Sequence, residues 1–271
     1  MTRVDVNGVC LEVDVAGSGR PALLLHGFTG TNRSWSALLP SLWRTHRTVA
    51  LDLLGHGGSD RPPDPKRYDL ARQAADLVAL LTGLDAVPAD VIGYSMGARI
   101  ALRLVLDHPR LVHRLVLESP SVGIADAAER AHRRTADLAL ADGIERDGIV
   151  AFVDAWEAQE LFATQRALPG VTRVRIRRER LGQVPKGLAD AVRGAGQGVM
   201  EPLHGRLAEI TAPTLVISGG VDAVGLKRAR LVADGIVGAR LEVVPDAGHA
   251  PHLEAPGSFA RIVGAFLAPS H

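Results

Sequence analysis

The chain has 271 residues, 46% of them hydrophobic, with 31 Lys+Arg against 30 Asp+Glu and a net charge of +1. That size fits one large globular domain with room for an insertion, and the near-neutral balance excludes a global attraction to nucleic acid or an anionic membrane surface. Cys10 is the only cysteine, which excludes an internal disulfide; charges interrupt the N-terminal stretch, so it does not read as a signal peptide, and no run approaches membrane-span length. A cytoplasmic protein is expected.

Residues 3–6 and 9–15 read as short strands around the hairpin turn Asn7-Gly8. Apolar bursts of buried-strand length follow at Ala22–Leu25, Thr48–Leu53, Asp90–Ile92, Leu115–Leu117, Thr214–Ile217 and Leu241–Val244. Helical patterns separate many of them. Leu70, Ala74, Leu77, Val78 and Leu81 form one stripe, Ile100, Leu104 and His108 mark another helix closed by Pro109, and a last helix spans about Pro256 to Leu267. Strands alternating with helices imply an α/β fold with a mostly parallel sheet covered on both faces. Between roughly Ser121 and Arg206 the alternation stops. That stretch is Arg- and Ala-rich and holds no convincing strand, so it is expected to be an inserted helical lid with turns at Pro169-Gly170 and Val184–Gly187. The expected division is 1–120 and 206–271 for the core and 121–205 for the lid.

Gly93-Tyr94-Ser95-Met96-Gly97 lies between a strand and a helix. This is the context of a nucleophile elbow, in which glycines flank a strained turn that lifts a serine oxygen above the sheet. His26-Gly27-Phe28-Thr29-Gly30 ends an earlier strand, so the N–H groups of Phe28 and Met96 are candidates for an oxyanion hole. An acid and a base should follow the serine in that order. Asp222 follows the Thr214–Ile217 strand and His249 follows Leu241–Val244, both where open α/β sheets place their sites. Asp246 is nearer to His249 in sequence and reads as a turn residue, and His56 as part of a framework turn.

These motifs resemble the α/β-hydrolase superfamily over the whole chain. Within it they are similar to the 2-succinyl-6-hydroxy-2,4-cyclohexadiene-1-carboxylate (SHCHC) synthases of the menaquinone pathway. That resemblance rests on Leu25–Gly30, on Gly93–Arg99, and on motifs in the lid: Glu129–Arg134, Trp156 with Leu161–Gln165, and Arg180 with Gly187–Ala189. The chain departs from the family at Ala98, where a second glycine is usual, and around Asp222, where Gly219-Gly220-Val221-Asp222-Ala223-Val224-Gly225 replaces the usual Gly-Glu-x-Asp-x-Lys-Phe.

The resemblance implies a lyase that eliminates pyruvate from 2-succinyl-5-enolpyruvyl-6-hydroxy-3-cyclohexene-1-carboxylate, a small-molecule substrate with three carboxylates. Arginine suits carboxylates because its fork binds them bidentately. Arg99 lies one helical turn beyond Ser95, and Arg133 and Arg180 occupy motif positions. Tyr94 and Trp156 complete the candidate substrate-binding set, each open between facing substrate and packing. Arg175 and Arg178 should point away from the helical face shared by Arg173, Arg177 and Arg180. Glu129–Arg133 or Arg133–Asp137 could equally be i,i+4 pairs on a solvated face.

Ser95 would act as a base, activated by His249 and oriented by Asp222. The competing reading is a serine hydrolase, an esterase or C–C bond hydrolase, that forms an acyl-enzyme on Ser95. A non-catalytic ligand-binding protein is a third class, and the intact Ser, Asp and His argue against it. No cofactor or metal motif is visible, so none is expected. Oligomeric state is left open.

Overall fold

A computed structural model describes residues 1–268. Strand β1 (Thr2–Val6) pairs antiparallel with β2 (Val9–Gly17) through a two-residue turn in which Asn7 and Gly8 have φ of 47° and 80°. The chain continues through β3 (Arg20–Leu25), α1 (Leu39–Leu42), β4 (His46–Leu51), α2 (Leu70–Gly83), β5 (Ala89–Tyr94), α3 (Met96–Asp107) and β6 (Val112–Glu118). Three more helices follow, α4 (Ala127–Ala158), α5 (Gly170–Leu181) and α6 (Pro185–Ala195). Strand β7 (Thr214–Gly219), α7 (Ala223–Gly235), β8 (Arg240–Val244), α8 (Pro251–Glu254) and α9 (Pro256–Leu267) complete the order.

The eight strands form one sheet in the order β1-β2-β4-β3-β5-β6-β7-β8, parallel from β4 to β8. Every residue of β5 is buried, because helices cover both faces; a strand so placed reads as a continuous apolar run. Helix α2 starts at Asp69, whose carboxylate accepts from the N–H groups of Ala71 and Arg72, and buries Leu70, Ala74, Leu77 and Leu81 as the stripe predicts. One core cluster lies under α2, α3 and part of α7, and a second joins Trp35 and Leu42 to Phe259 and Val263.

Register aligns the C-terminal strand ends. Leu25 pairs with Leu51 and Gly93, Tyr94 with Glu118, Glu118 with Ile217, and Gly219 with Val244. The loops after β3, β5, β6, β7 and β8 therefore leave the sheet along one edge.

Two expectations change in detail. The strand expected at Thr48–Leu53 ends at Leu51. Asp52 turns the chain by accepting from the N–H groups of Asn32 and Gly58 at 2.7 and 2.8 Å, and the Leu53 N–H donates to His26 Nε2 at 2.9 Å instead of entering a ladder. The inserted region has breaks where expected, since α5 and α6 begin at Gly170 and Pro185, but also two more. Gly148 kinks α4 with φ of 78°, a backbone state glycine adopts cheaply, and Glu160–Ala167 winds as a 3₁₀ segment. Ala141, Ile144, Phe152 and Val153 of α4 pack on Leu188, Ala189 and Val192 of α6, giving the insertion its own small core.

Candidate active site

Ser95 joins β5 to α3 with φ of 51° and ψ of −103°, a strained conformation for a non-glycine residue that costs about 1–3 kcal/mol. Its surroundings impose it: the Ser95 N–H donates to the Glu118 carbonyl at 2.9 Å, and the Ser95 carbonyl accepts from Arg99 N–H at 3.2 Å. A Cβ at Gly97 would run into the carbonyls of Leu25 and His26, and one at Gly93 into the start of α3. Only glycine at both positions lets the turn close this tightly.

His249, on the loop after β8, places Nε2 3.2 Å from Ser95 Oγ and Nδ1 2.8 Å from Asp222 Oδ2. A ring nitrogen facing a carboxylate carries the proton, which leaves Nε2 to accept from the serine hydroxyl. Asp222 caps α7, and its second oxygen accepts from the Gly225 N–H at 2.8 Å. Burial pushes the Asp222 carboxyl upward, but hydrogen bonds from His249 and Gly225 outweigh it and hold the group below the ordinary carboxylate value. Asp246 is exposed and makes no such contact.

Phe28 follows β3 and Met96 opens α3; the backbone N–H of neither finds an acceptor among the described residues. Two free donors beside the serine, one of them at a helix N-terminus, can receive negative charge on a substrate oxygen. His26 pins the loop that carries Phe28, with Nδ1 2.7 Å from the Gly27 carbonyl and Nε2 accepting from Leu53. Burial pushes its pKa down to about 4 and that of His56 to about 3, so both rings are neutral and structural.

A cavity of about 440 Å³ opens over the serine, and all ten residues singled out from the sequence line it: Phe28, Tyr94, Ser95, Met96, Arg99, Arg133, Trp156, Arg180, Asp222 and His249. The arginines differ in how they are held. Arg99 is 8% exposed and its side chain's one hydrogen bond among the described residues goes to the Ala195 carbonyl; burial, with Arg133 nearby, pushes its pKa down to about 10. Arg133, with a side chain 42% exposed, pairs with Asp137 at 2.7 Å, so one of the two expected i,i+4 pairs forms on a residue that also faces the cavity. Arg180 is buried between Glu157 at 3.0 Å and Gln165 at 2.9 Å, with its guanidinium 5.0 Å from the centre of the Phe162 ring. Arg177 turns to Asp154 and Glu157, while Arg175 does not line the cavity.

Trp156 sits among Phe28, Phe152 and Phe162 with ring centres 5.4–5.5 Å away, which accounts for packing. Its Nε1 is also buried without an acceptor, which leaves a donor at the cavity wall. Tyr94 packs within 4.6 Å of His252 and 5.6 Å of His249, ring centre to ring centre; burial, then the Glu118 charge, raises its phenol pKa well above the ordinary value.

Two of the lining residues outside the sequence motifs bear on the chemistry. Arg228 of α7 lines the cavity, and its side chain forms no hydrogen bond or ion pair among the described residues. Its signal is a cation six positions after Asp222, visible only once α7 is known to start there. Ser119, after β6, donates through Oγ to the His249 carbonyl at 2.8 Å. Among the described residues, no group of three His, Cys, Asp or Glu is placed to hold a metal ion and no helix is long and apolar enough to cross a membrane.

An eight-stranded sheet with Ser, Asp and His on the loops of one edge defines a class, and residues 21–256 match the model of the alpha/beta hydrolase fold family. The chain belongs to that family. It is 40% identical, over 90% of its own length and 88% of the relative's, to a Bacillus subtilis protein named as a candidate 2-succinyl-6-hydroxy-2,4-cyclohexadiene-1-carboxylate synthase. A synthase of that name from Serratia proteamaculans is 30% identical over 92% of this chain and 93% of its own. The structure of MenH from S. aureus superposes with a TM-score of 0.90 at 30% identity, over 95% of this chain and 97% of that one.

Proposed function

We propose that the protein is an SHCHC synthase: a carbon–oxygen lyase of menaquinone biosynthesis that releases pyruvate from 2-succinyl-5-enolpyruvyl-6-hydroxy-3-cyclohexene-1-carboxylate. The observation that carries the reading is Arg99, a buried guanidinium at the cavity wall with no carboxylate partner. Burying an unpaired charge is costly unless a ligand completes it, and a carboxylate of the substrate would do so. Arg228, unpaired at the same cavity, offers a second anchor, and Arg133 and Arg180 add cationic walls. An esterase for apolar acyl groups has no use for such a lining.

His249 takes the Ser95 proton, and the serine oxygen then removes the acidic proton from the ring carbon beside the succinyl ketone. Charge moves onto the ketone oxygen, which the N–H groups of Phe28 and Met96 receive. The electrons return through the ring double bond and break the C–O bond to the enolpyruvyl group, which leaves and is protonated to pyruvate. No bond forms to Ser95. Asp222 holds His249 in the tautomer this needs and stabilises its cation. The substrate is a small anion, and the lone Cys10 and near-neutral charge suit the cytoplasm.

The test is to supply the purified protein with this cyclohexene and follow pyruvate in a coupled assay. Saturable release that Ser95→Ala abolishes is expected; turnover of simple esters with none of this substrate would overturn the reading.

A further inference from the structure

The loop that carries His249 is held by Glu254. This carboxylate accepts from the backbone N–H groups of Gly248, through Oε2, and Ala250, through Oε1 at 3.2 Å, the two residues flanking the histidine. With Ser119 on the His249 carbonyl, the backbone of the histidine is fixed on three sides. Such a clip can form because the short α8 reverses the chain and brings Glu254 back beside residue 248.

The inserted helices reach the same loop through the 3₁₀ segment Glu160–Ala167. Gln165 Nε2 donates to Glu254 Oε1 at 3.4 Å, while Gln165 Oε1 accepts from Arg180 at 2.9 Å. A guanidinium only donates and a carboxylate only accepts, so the amide has one orientation that satisfies both neighbours. Beside it, Thr164 lies so close that a Cβ on Gly248 would strike its hydroxyl, and that hydroxyl is buried without a partner. Phe162 meets the His249 ring edge-on at 6.4 Å. Three contacts, from Phe162, Thr164 and Gln165, thus seat one segment of the insertion on the catalytic-histidine loop, and an unbroken chain of polar contacts runs from Arg180 at the cavity wall to the amides that flank His249.

We infer that Glu254 and Gln165 are positioning residues that align His249 with Ser95 only while the 160–167 segment is seated. The inference rests on Ser95, His249 and Asp222 being the working triad. An ion-pairing Arg180 on one side and the histidine backbone on the other make the alignment answer to the state of the cavity wall. Loss of the clip frees the histidine backbone by a fraction of an ångström, and misplacement on the scale of 1 Å costs about a hundredfold in rate.

The experiment compares Glu254→Gln, Gln165→Leu and the double variant with wild type in three measurements. These are kcat and KM for pyruvate release, the rate and pH profile of Ser95 labelling by a fluorophosphonate, and the low-field proton resonance of the His249–Asp222 hydrogen bond. Glu254→Gln should lower kcat and labelling about ten- to a hundredfold, with KM moved less than about threefold, and should broaden or shift the resonance. Gln165→Leu should act in the same direction more weakly. The double variant should be no worse than Glu254→Gln alone, since both break one bridge. A fall in Tm with wild-type labelling and an unshifted resonance would overturn the inference, as would additive losses. A wild-type enzyme that fails to label counts against the triad instead, and the His249 resonance alone then decides the role of Glu254. Should Glu254→Gln not fold, Gln165→Leu carries the same three measurements.

Discussion

The edge of the sheet and the inserted helices solve opposite problems with polar side chains. At the sheet edge, Ser95, His249 and Asp222 are spent on one another, within 3.2 Å, on loops whose positions the strand register dictates. In the insertion several arginines are tied to carboxylates: Arg133 to Asp137 within one helix, and Arg177 to Asp154 and Glu157 and Arg180 to Glu157 between two helices. Arg99 and Arg228 are the lining arginines left without a carboxylate partner among the described residues, and both belong to helices of the sheet domain. The triad and the unpaired cations thus come from the sheet domain, while the insertion adds arginines that already hold carboxylate partners. Substitutions in the two regions should fail differently.

The largest effect is expected at the sheet edge. Ser95→Ala should lower kcat on the order of 10³-fold or more while leaving Tm within a few degrees of wild type, as steady-state kinetics and thermal denaturation will read. Next comes Asp222→Asn, which deprives His249 of the group that sets its tautomer, with a loss of roughly 10²–10³-fold in kcat. Asp246→Asn, on an exposed turn, should be silent; the reverse pattern would show that the wrong acid was chosen.

At the cavity-wall arginines of the insertion the losses should be smaller and appear mainly in KM, in contrast to the kcat effect expected at Gln165. Arg133→Ala and Arg180→Ala each remove a charge-assisted contact worth roughly 1.5–3 kcal/mol, about ten- to a hundredfold in kcat/KM. The two should part in stability, because Arg180→Ala also strands Glu157 and Gln165 and should lower Tm, whereas Arg133 is half exposed. Arg175→Ala is the control. Equal small effects at Arg133, Arg180 and Arg175 across ionic strength would reduce the wall to a solvated charged face.

The mildest test is acid. His26 and His56 are held neutral, with pKa values pushed by burial from 6.5 to about 4 and about 3. Below 6.5 the unfolded chain binds protons that the fold refuses, so their contribution to stability is complete above about 6.5 and is lost as pH falls toward 4. Tm should decline over that window, and a His56→Leu variant should decline less steeply.

The sheet edge was legible from residue order because its determinants are local. Gly93 and Gly97 bracket Ser95 within five residues, and Asp222 and His249 each follow a readable strand. The wall was half legible. Arg133 and Arg180 could be placed at the cavity, but the partners of Arg180 lie 23 and 15 residues away, before and within a 3₁₀ segment that leaves no periodic trace. Arg228 went unseen because its direction depends on where Asp222 caps α7. Glu254 went unseen because its role lies in backbone amides, which carry no residue identity.

On the proposed mechanism Ser95 works as a base and forms no covalent bond. Rapid-quench mass spectrometry of the enzyme during turnover of the enolpyruvyl cyclohexene, with pyruvate measured in the same samples, tests it most directly. Pyruvate should accumulate from the first turnover while the peptide bearing Ser95 keeps its unmodified mass, even at saturating substrate. An adduct on Ser95 that builds up and decays in step with product would contradict it and make the protein an acyl-enzyme hydrolase.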